Sequence, residues 1–423
     1  MCFRTFTDGA LTHLLRAGSL PTAACVAWDT RLSEWLSEAL ARPLDDSQRK
    51  QLFLPLEEGG LGWQSAELRR SPAVLGSWEL CFASVTSTLG CVSAEVFCAH
   101  CPRLVGQILE AAVALRSFGV DYVFDWPGLF AEAQFKRQKE LQSDTYDVVA
   151  AHLFATLPDA DRIDMADAGG GGGLFLLPPR LPSHRLCDSY FATVLRRRLR
   201  CAHPALPTLP NGFSATCNHR GPVAAVCEKP LDARGHHASV CKTGGGVVSG
   251  HDAIVSWLAG WVAEMTGHPA PTEQIVQQWT TYQADGQVEE LARLDIACSD
   301  HDGRSTFVDV CVITASSSNA DTVRRRATGA PGLSLQDAVA KKRRRYPAAR
   351  FPAAALVPFA LGSLGRVSPE AREFLRALAP QTAQRSLILS NALQALSCLV
   401  QVRLAELLLS ASAPPAPGVR RVP

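Results

Sequence analysis

The sequence predicts a mixed α+β protein. A helical N-terminal region leads to a small cysteine- and histidine-rich module, then to a core ordered α-β-β-β-α-β with further C-terminal helices. Three observations predict it. Apolar residues early in the chain recur at helical spacing, as Trp28, Leu32, Trp35 and Leu36 do. Cysteines and histidines crowd into CNHRGPVAAVCEKPLDARGHHASVC from Cys217 onward. Residues 291–298 and 305–314 read as two strands around HDG, where Gly303 suits a three-residue hairpin loop. With 423 residues there is room for two or three domains. We divide the chain into 1–164 (helical), 165–183 (a Gly/Pro-rich linker), 184–245 (a helix and the Cys/His module), 246–370 (the mixed core), 371–412 (helices) and 413–423 (a disordered Pro-rich tail).

In the N-terminal region, Asp45 and Asp46 in PLDDSQ read as a helix start. They lack the apolar strand flanks of a polymerase aspartate pair, so no polymerase activity is expected. Five glycines at 169–173 lack the lysine and hydroxyl of a phosphate loop and read as a flexible link. Next, Arg196, Arg197 and Arg198 end a helix and are candidates to meet phosphate. Cys217, Cys227 and Cys241 with either His236 or His237 supply the thiolates and imidazole that close a structural Zn²⁺ site, and His219 is a substitute ligand. The helix after this module has Ile254, Leu258, Trp261 and Met265 as its stripe, Asp252 as N-cap and Gly267 as its stop. EQIVQQW (273–279) reads as a strand, with Glu273 an accessory acid.

The hairpin carries the chemistry. Pairing Asp300 with Arg304 sets Asp295 opposite Asp309. Leu294, Ile296, Val308, Val310 and Val312 then share one face, and the two aspartates share the other. Like charges opposed on a sheet are destabilising, and a divalent cation between them relieves that. The following helix, with Ser334 and Asp337 as its capping box, has Leu335, Ala338 and Val339 as its stripe. Lys342 falls where an apolar residue belongs, and Tyr346 continues the stripe. Two facing carboxylates and an inward lysine are what metal-dependent phosphodiester cleavage requires, with Mg²⁺ or Mn²⁺ on Asp295 and Asp309 and Lys342 orienting water. Lys341 is the alternative if the helix is rotated by one residue.

RLDI, FVDVCV and AVAKKRRRY resemble the PD-(D/E)xK restriction-like endonuclease at the C-terminus of non-LTR retrotransposon polyproteins. In that family the catalytic lysine lies on the helix after the strands, as Lys342 does, while Cys311 holds the strand position. Leu294 stands where the family has Pro. The resemblance implies a restriction-like fold for the core and a CCHC zinc knuckle before it. It ranks His236 first as ligand, from its four-residue gap to Cys241. It also likens 54–78, with its LP…GGLG…SW run, to the connector after the reverse transcriptase. Where the family has Arg-His-Asp, Gly250 replaces the arginine and His251 and Asp252 remain. The implied activity is nicking of target DNA for primed reverse transcription. The alternatives are a nucleic-acid-binding zinc-knuckle module without catalysis, or a decayed, truncated copy.

Charge distribution agrees with a polyanionic partner. Residues 243–320 carry ten acids and two bases, whereas 321–350 carry nine bases and two acids, at a net charge of only +2. DNA, and the element's RNA, are the expected partners, with Arg324, Arg325 and Arg326 among the contacts. Fourteen cysteines without a signal peptide indicate a reducing, intracellular setting. The KKRRR run matches a nuclear localisation signal. The apolar run 386–402 is shorter than a membrane span and carries Asn391, Gln394 and Gln401, so we expect a packed helix and no membrane.

Overall fold

A computed structural model describes residues 11–18, 20–123, 126, 137–202, 216–221, 226–284, 287–299, 303–317 and 319–412. Asp300 and the tail from 413 lie outside them. The chain forms two compact units: Met1–Pro55 with Gly60–Leu157, and Leu56–Gly59 with Pro158–Pro423. The boundary therefore falls at Leu157–Pro158 and not in the glycine run.

The first unit is helical: α1 (Thr22–Ala39), α2 (Asp46–Phe53), α3 (Ala66–Thr88), α4 (Ala94–His100), α5 (Pro102–Ser117) and α6 (Arg137–Thr156), preceded by helical residues 11–16. Asp45 caps α2 in a full capping box with Gln48, as its sequence predicts. The buried face of α1 is Cys25, Asp29, Ser33 and Leu36, not the tryptophan stripe. The reason is Asp29. Its carboxylate accepts from Ser65 Oγ, Ala66 N at 2.8 Å and Glu67 N at 3.2 Å, at the N-terminus of α3. That turns Trp35 outward, 51% exposed, beside Trp63. Phe82, Phe97 and Trp126 meet near the centre.

The second unit contains α7 (Asp159–Ala168), α8 (Asp188–Arg198), α9 (His236–Val240), α10 (Gly246–Thr266), β1 (Thr272–Ile275), β2 (Thr281–Tyr282), β3 (Val288–Glu290), β4 (Arg293–Ser299), β5 (Ser305–Ile313), α11 (Ala320–Thr328), α12 (Leu333–Arg345), β6 (Ala354–Gly362), α13 (Pro369–Leu378) and α14 (Arg385–Ser412). The sheet order is β1-β4-β5-β6, antiparallel except for the parallel β5–β6 pair. One sheet face, through Ile296, Val308, Val310, Phe359 and Leu361, packs on Ile254, Leu258 and Trp261 of α10. The other meets Leu335 and Val339 of α12 through Cys311, Ile313 and Ala360. Leu294 departs from the predicted face partners and packs with Trp279 and Tyr346, and Val312 is exposed. The predicted strand 273–279 stops at Ile275, and a short 3₁₀ turn carries Trp279 into the core.

Two predicted caps are displaced. Gly245, in the left-handed region, precedes α10, so His251 and Asp252 lie within the helix and Asp252 is not its N-cap. Gly332 likewise precedes α12. Ser334 is buried inside that helix, and Asp337 pairs with Arg325 instead of closing a capping box. Helix α14 runs past the predicted 402 to Ser412. It is long and apolar enough to cross a membrane by length and composition, but 56% of its apolar window is buried, with Leu396 and Val400 in the sheet core.

The glycine run is packed, not a link. Gly170 and Gly171 have φ of 52° and 95°, and a Cβ on Gly172 would fall 2.5 Å from Leu364 O. Its partner is the LGSLGR segment, which had no role assigned from sequence. Val367 N donates to Gly170 O, Leu364 N to Asp167 Oδ2 at 3.0 Å, and Arg366 Nε to Ala166 O at 2.7 Å.

Candidate active site and metal centre

Strands β4 and β5 pair Ile296 with Val308, Ala297 with Phe307 and Ser299 with Ser305. That register is the one the hairpin loop predicts; the paired ladder ends at Ile296–Val308, and just beyond it Asp309 meets Lys342 of α12 while Asp295 lies close enough to act on the Asp309 carboxyl. Asp309 is 4% exposed. Its Oδ1 accepts from Lys342 Nζ at 2.7 Å, whereas its Oδ2 is buried without a hydrogen-bond partner. Burial raises the Asp309 pKa; the Lys342 ammonium opposes this and Asp295 adds to it. Cys311, two residues along β5, is pushed up to about 11, chiefly by burial. Lys342 is half-buried and turned inward, while Lys341 is exposed. One residue along a helix turns a side chain by about 100°, and this decides between the two lysines.

Asp295 Oδ2 accepts from Val310 N at 2.6 Å and lies 3.4 Å from His251 Nε2. The same nitrogen lies 3.3 Å from Val310 O, and Nδ1 lies 3.3 Å from Asp252 Oδ1. The hydrogen bond with Asp295 raises His251 to about 9 against the effect of burial. The sequence alone assigns His251 no role. Its signal was there: it stands three residues before Ile254 and seven before Leu258, a polar side chain on the apolar stripe.

Glu273 lies on β1, level with Asp295 by the pairing of Thr272 with Ile296 and Gln274 with Leu294. It is exposed, at φ 59°, and its carboxylate pairs with Arg293, so the expected accessory acid is spent on a surface ion pair.

The second cluster is Cys217, Cys227, His237 and Cys241, whose ligand atoms all lie within 4.8 Å of one another. Cys217 and Cys241 sulfurs are 3.8 Å apart, and Cys227 Sγ is 3.3 Å from His237 Nε2. Two thiolates on a tetrahedral zinc, with Zn–S of about 2.3 Å, stand about 3.8 Å apart. The group can hold a metal ion such as zinc. Backbone bonds from Cys217 N to Lys229 O, Glu228 N to Cys217 O and Cys227 N to His219 O bring the first two cysteines together. Asp232 accepts from the backbone N–H groups of Arg234, His236 and His237 and so caps α9. Burial pushes the Cys217 thiol up to about 12, with Cys241 and Cys227 adding to it.

The histidine that joins the three cysteines is therefore His237, not His236. Adjacent residues on α9 face different ways. His236 turns to Asp164, 3.5 Å away, and to Arg197, 3.3 Å away. His219 also stands outside the group: its Nε2 lies at hydrogen-bond distance from Leu407 O and Ser410 Oγ of α14.

The arginine run is also corrected. Arg197 is 4% exposed and makes a two-pronged pair with Asp164 at 2.7 and 2.9 Å. Arg198 is 2% exposed and donates to Ala168 O and Leu56 O. Both are interior groups joining α8 to α7, because a buried guanidinium needs fixed acceptors; Arg196 is half-buried beside them. In the second run, Arg325 is exposed and paired with Asp337, Arg326 donates to Ala315 O, and Arg324 is exposed.

Compared with known proteins, the chain matches no family model and no curated protein.

Proposed function

We propose that this chain is the nuclease-bearing part of a retrotransposon polyprotein, a Mg²⁺- or Mn²⁺-dependent DNA endonuclease with a restriction-like core and a structural zinc knuckle. The observation that carries the reading is the approach of Asp295 and Lys342 to the buried Asp309, one of whose oxygens has no hydrogen-bond donor. Two carboxylates offering hard oxygens, one of them unsatisfied, fit a divalent cation of this type. Bound there, the ion supplies Lewis acidity to the phosphate and a more acidic water. The chain supplies the rest. Asp295 is fixed by the Val310 N–H and by His251. Asp309 holds Lys342 in the cleft, where the ammonium can orient the attacking water and offset charge on the phosphate. Water attacks phosphorus and the P–O3′ bond breaks, leaving a 3′-hydroxyl that can prime synthesis and a 5′-phosphate. Exposed Lys341 and Arg344 on α12 and Arg324 on α11 offer charge to neighbouring phosphates.

A second reading, DNA binding without cleavage, draws on the same contact: Lys342 and Asp309 already neutralise each other. Plasmid nicking decides between them. The nuclease reading expects relaxed circles with Mg²⁺ or Mn²⁺, none with EDTA, and none from Asp309→Asn. Binding without nicking in either metal favours the second reading.

A further inference from the structure

The first unit contains a cavity of about 430 Å³ whose lining holds four cations, Arg16, Arg69, Arg137 and Lys139, and no carboxylate. It forms where α3 and α6 come into backbone contact: a Cβ on Gly76 would sit 2.4 Å from Gln138 Cβ. That approach brings Arg69 of α3 beside Arg137 and Lys139 of α6. Arg69 is 8% exposed. Its Nη2 donates to Thr12 Oγ1 at 2.6 Å, and its Nε and Nη1 have no hydrogen-bond partner. Arg16 donates only to the neutral Gln138 Oε1, at 2.9 Å. Among the described residues, no carboxylate pairs with Arg16, Arg69 or Lys139. Only Arg137 is partly neutralised, by Glu140 at 3.5 Å and Glu79 at 3.9 Å. Asp29, also on this unit, is taken up by the α3 N-terminus.

A buried guanidinium without a counter-charge is costly. Arg69 is one of the residues lining a cavity of a size that takes small ligands, at about 300–1,000 Å³. We infer that this cavity is an anion site that binds the phosphate group of a nucleotide or of a nucleic-acid strand. Guanidinium groups match phosphate oxygens in geometry as well as charge. The site is independent of the nuclease reading, since every lining residue belongs to the first unit.

The test is calorimetric titration of the full chain, at constant ionic strength and without divalent metal, with inorganic phosphate, ADP and an eight-nucleotide single strand. At least one should bind. Replacing the two exposed cations together (Arg16→Ala with Lys139→Ala) should weaken that binding by roughly tenfold or more. Arg69→Met should abolish it without lowering the thermal midpoint, because it removes an unpaired buried charge. Binding of ADP marks a mononucleotide site; binding of the strand alone, weakened by the double variant, marks a strand site. Asp309→Asn, in the other unit, should bind as the parent does, which separates this result from the fate of the nuclease proposal. No binding of any probe, binding unchanged in the double variant, or equal stabilisation by chloride at matched ionic strength would overturn the inference.

Discussion

At the scale of single residues, Asp309 is held between opposing demands. Burial favours its neutral form, the Lys342 ammonium favours the carboxylate, and one oxygen is left without a partner. Asp309→Asn keeps the shape and removes the charge. We expect the fold to persist and nicking to fall by roughly two to three orders of magnitude or more. Asp295→Asn should do the same while retaining an acceptor for the Val310 N–H; Asp295→Ala would orphan that donor and cost about 1–3 kcal/mol. Lys342→Ala should be inactive and Lys341→Ala active. Equal activity in both lysine variants, measured by plasmid relaxation, would remove Lys342 from the chemistry. The two histidines give a parallel contrast. His237→Ala should lose the metal, whereas His236→Ala should keep about one zinc per chain yet weaken the attachment of α9 to Asp164 and Arg197. Zinc content with thermal melting separates the two. Zinc lost from the His236 variant alone would reverse the assignment.

Between elements, what could be read from sequence followed how local the determinants are. The β4–β5 register was legible because alternation and a glycine at the loop act over a few residues, and Lys342 stood out by breaking an apolar stripe. His237 was not separable from His236, since the choice depends on Asp164, more than seventy residues earlier. The α1 face was misread because Asp29 caps another helix. The glycine run looked like a link because its packing partner, LGSLGR, lies far along the chain. There, Asp167 tests the docking. It is fully buried, accepts from Leu364 N, and burial pushes it up to about 6 from an ordinary 3.8. An acid raised in the folded state binds more protons folded than unfolded between those values. Its contribution is therefore complete below about pH 4 and lost as pH rises through about 6, by up to about 3 kcal/mol. Thermal midpoints measured from pH 4 to 7 should fall across that window, and less so in Asp167→Asn, whose oxygen can still accept from Leu364 N. An identical slope in the variant would show that Asp167 does not set it.

For the whole molecule, the separation of charge along the sequence bears on the proposed contact with DNA. The acidic stretch supplies the carboxylates of the sheet, and the basic stretch forms α11 and α12, tied together by the Arg325–Asp337 pair. Arg197 and Arg198 are not available to a polyanion, since both are spent on interior acceptors. Replacing Arg196, Arg197 and Arg198 together should therefore destabilise the second unit, with no clean electrostatic effect on binding. Arg324, Lys341 and Arg344 are exposed, and the latter two share α12 with the inward-facing Lys342. Each phosphate neutralised releases counterions, so log affinity falls with log salt at a slope near 0.9 per contact on duplex DNA. The triple variant Arg324→Ala, Lys341→Ala, Arg344→Ala should keep the parent's melting behaviour and reduce that slope by up to about 2.7. Fluorescence anisotropy on a duplex across a salt series, in EDTA to prevent cleavage, measures it. A slope equal to the parent's would mean that the duplex lies on another face, and that Asp295 and Asp309 never meet its phosphates.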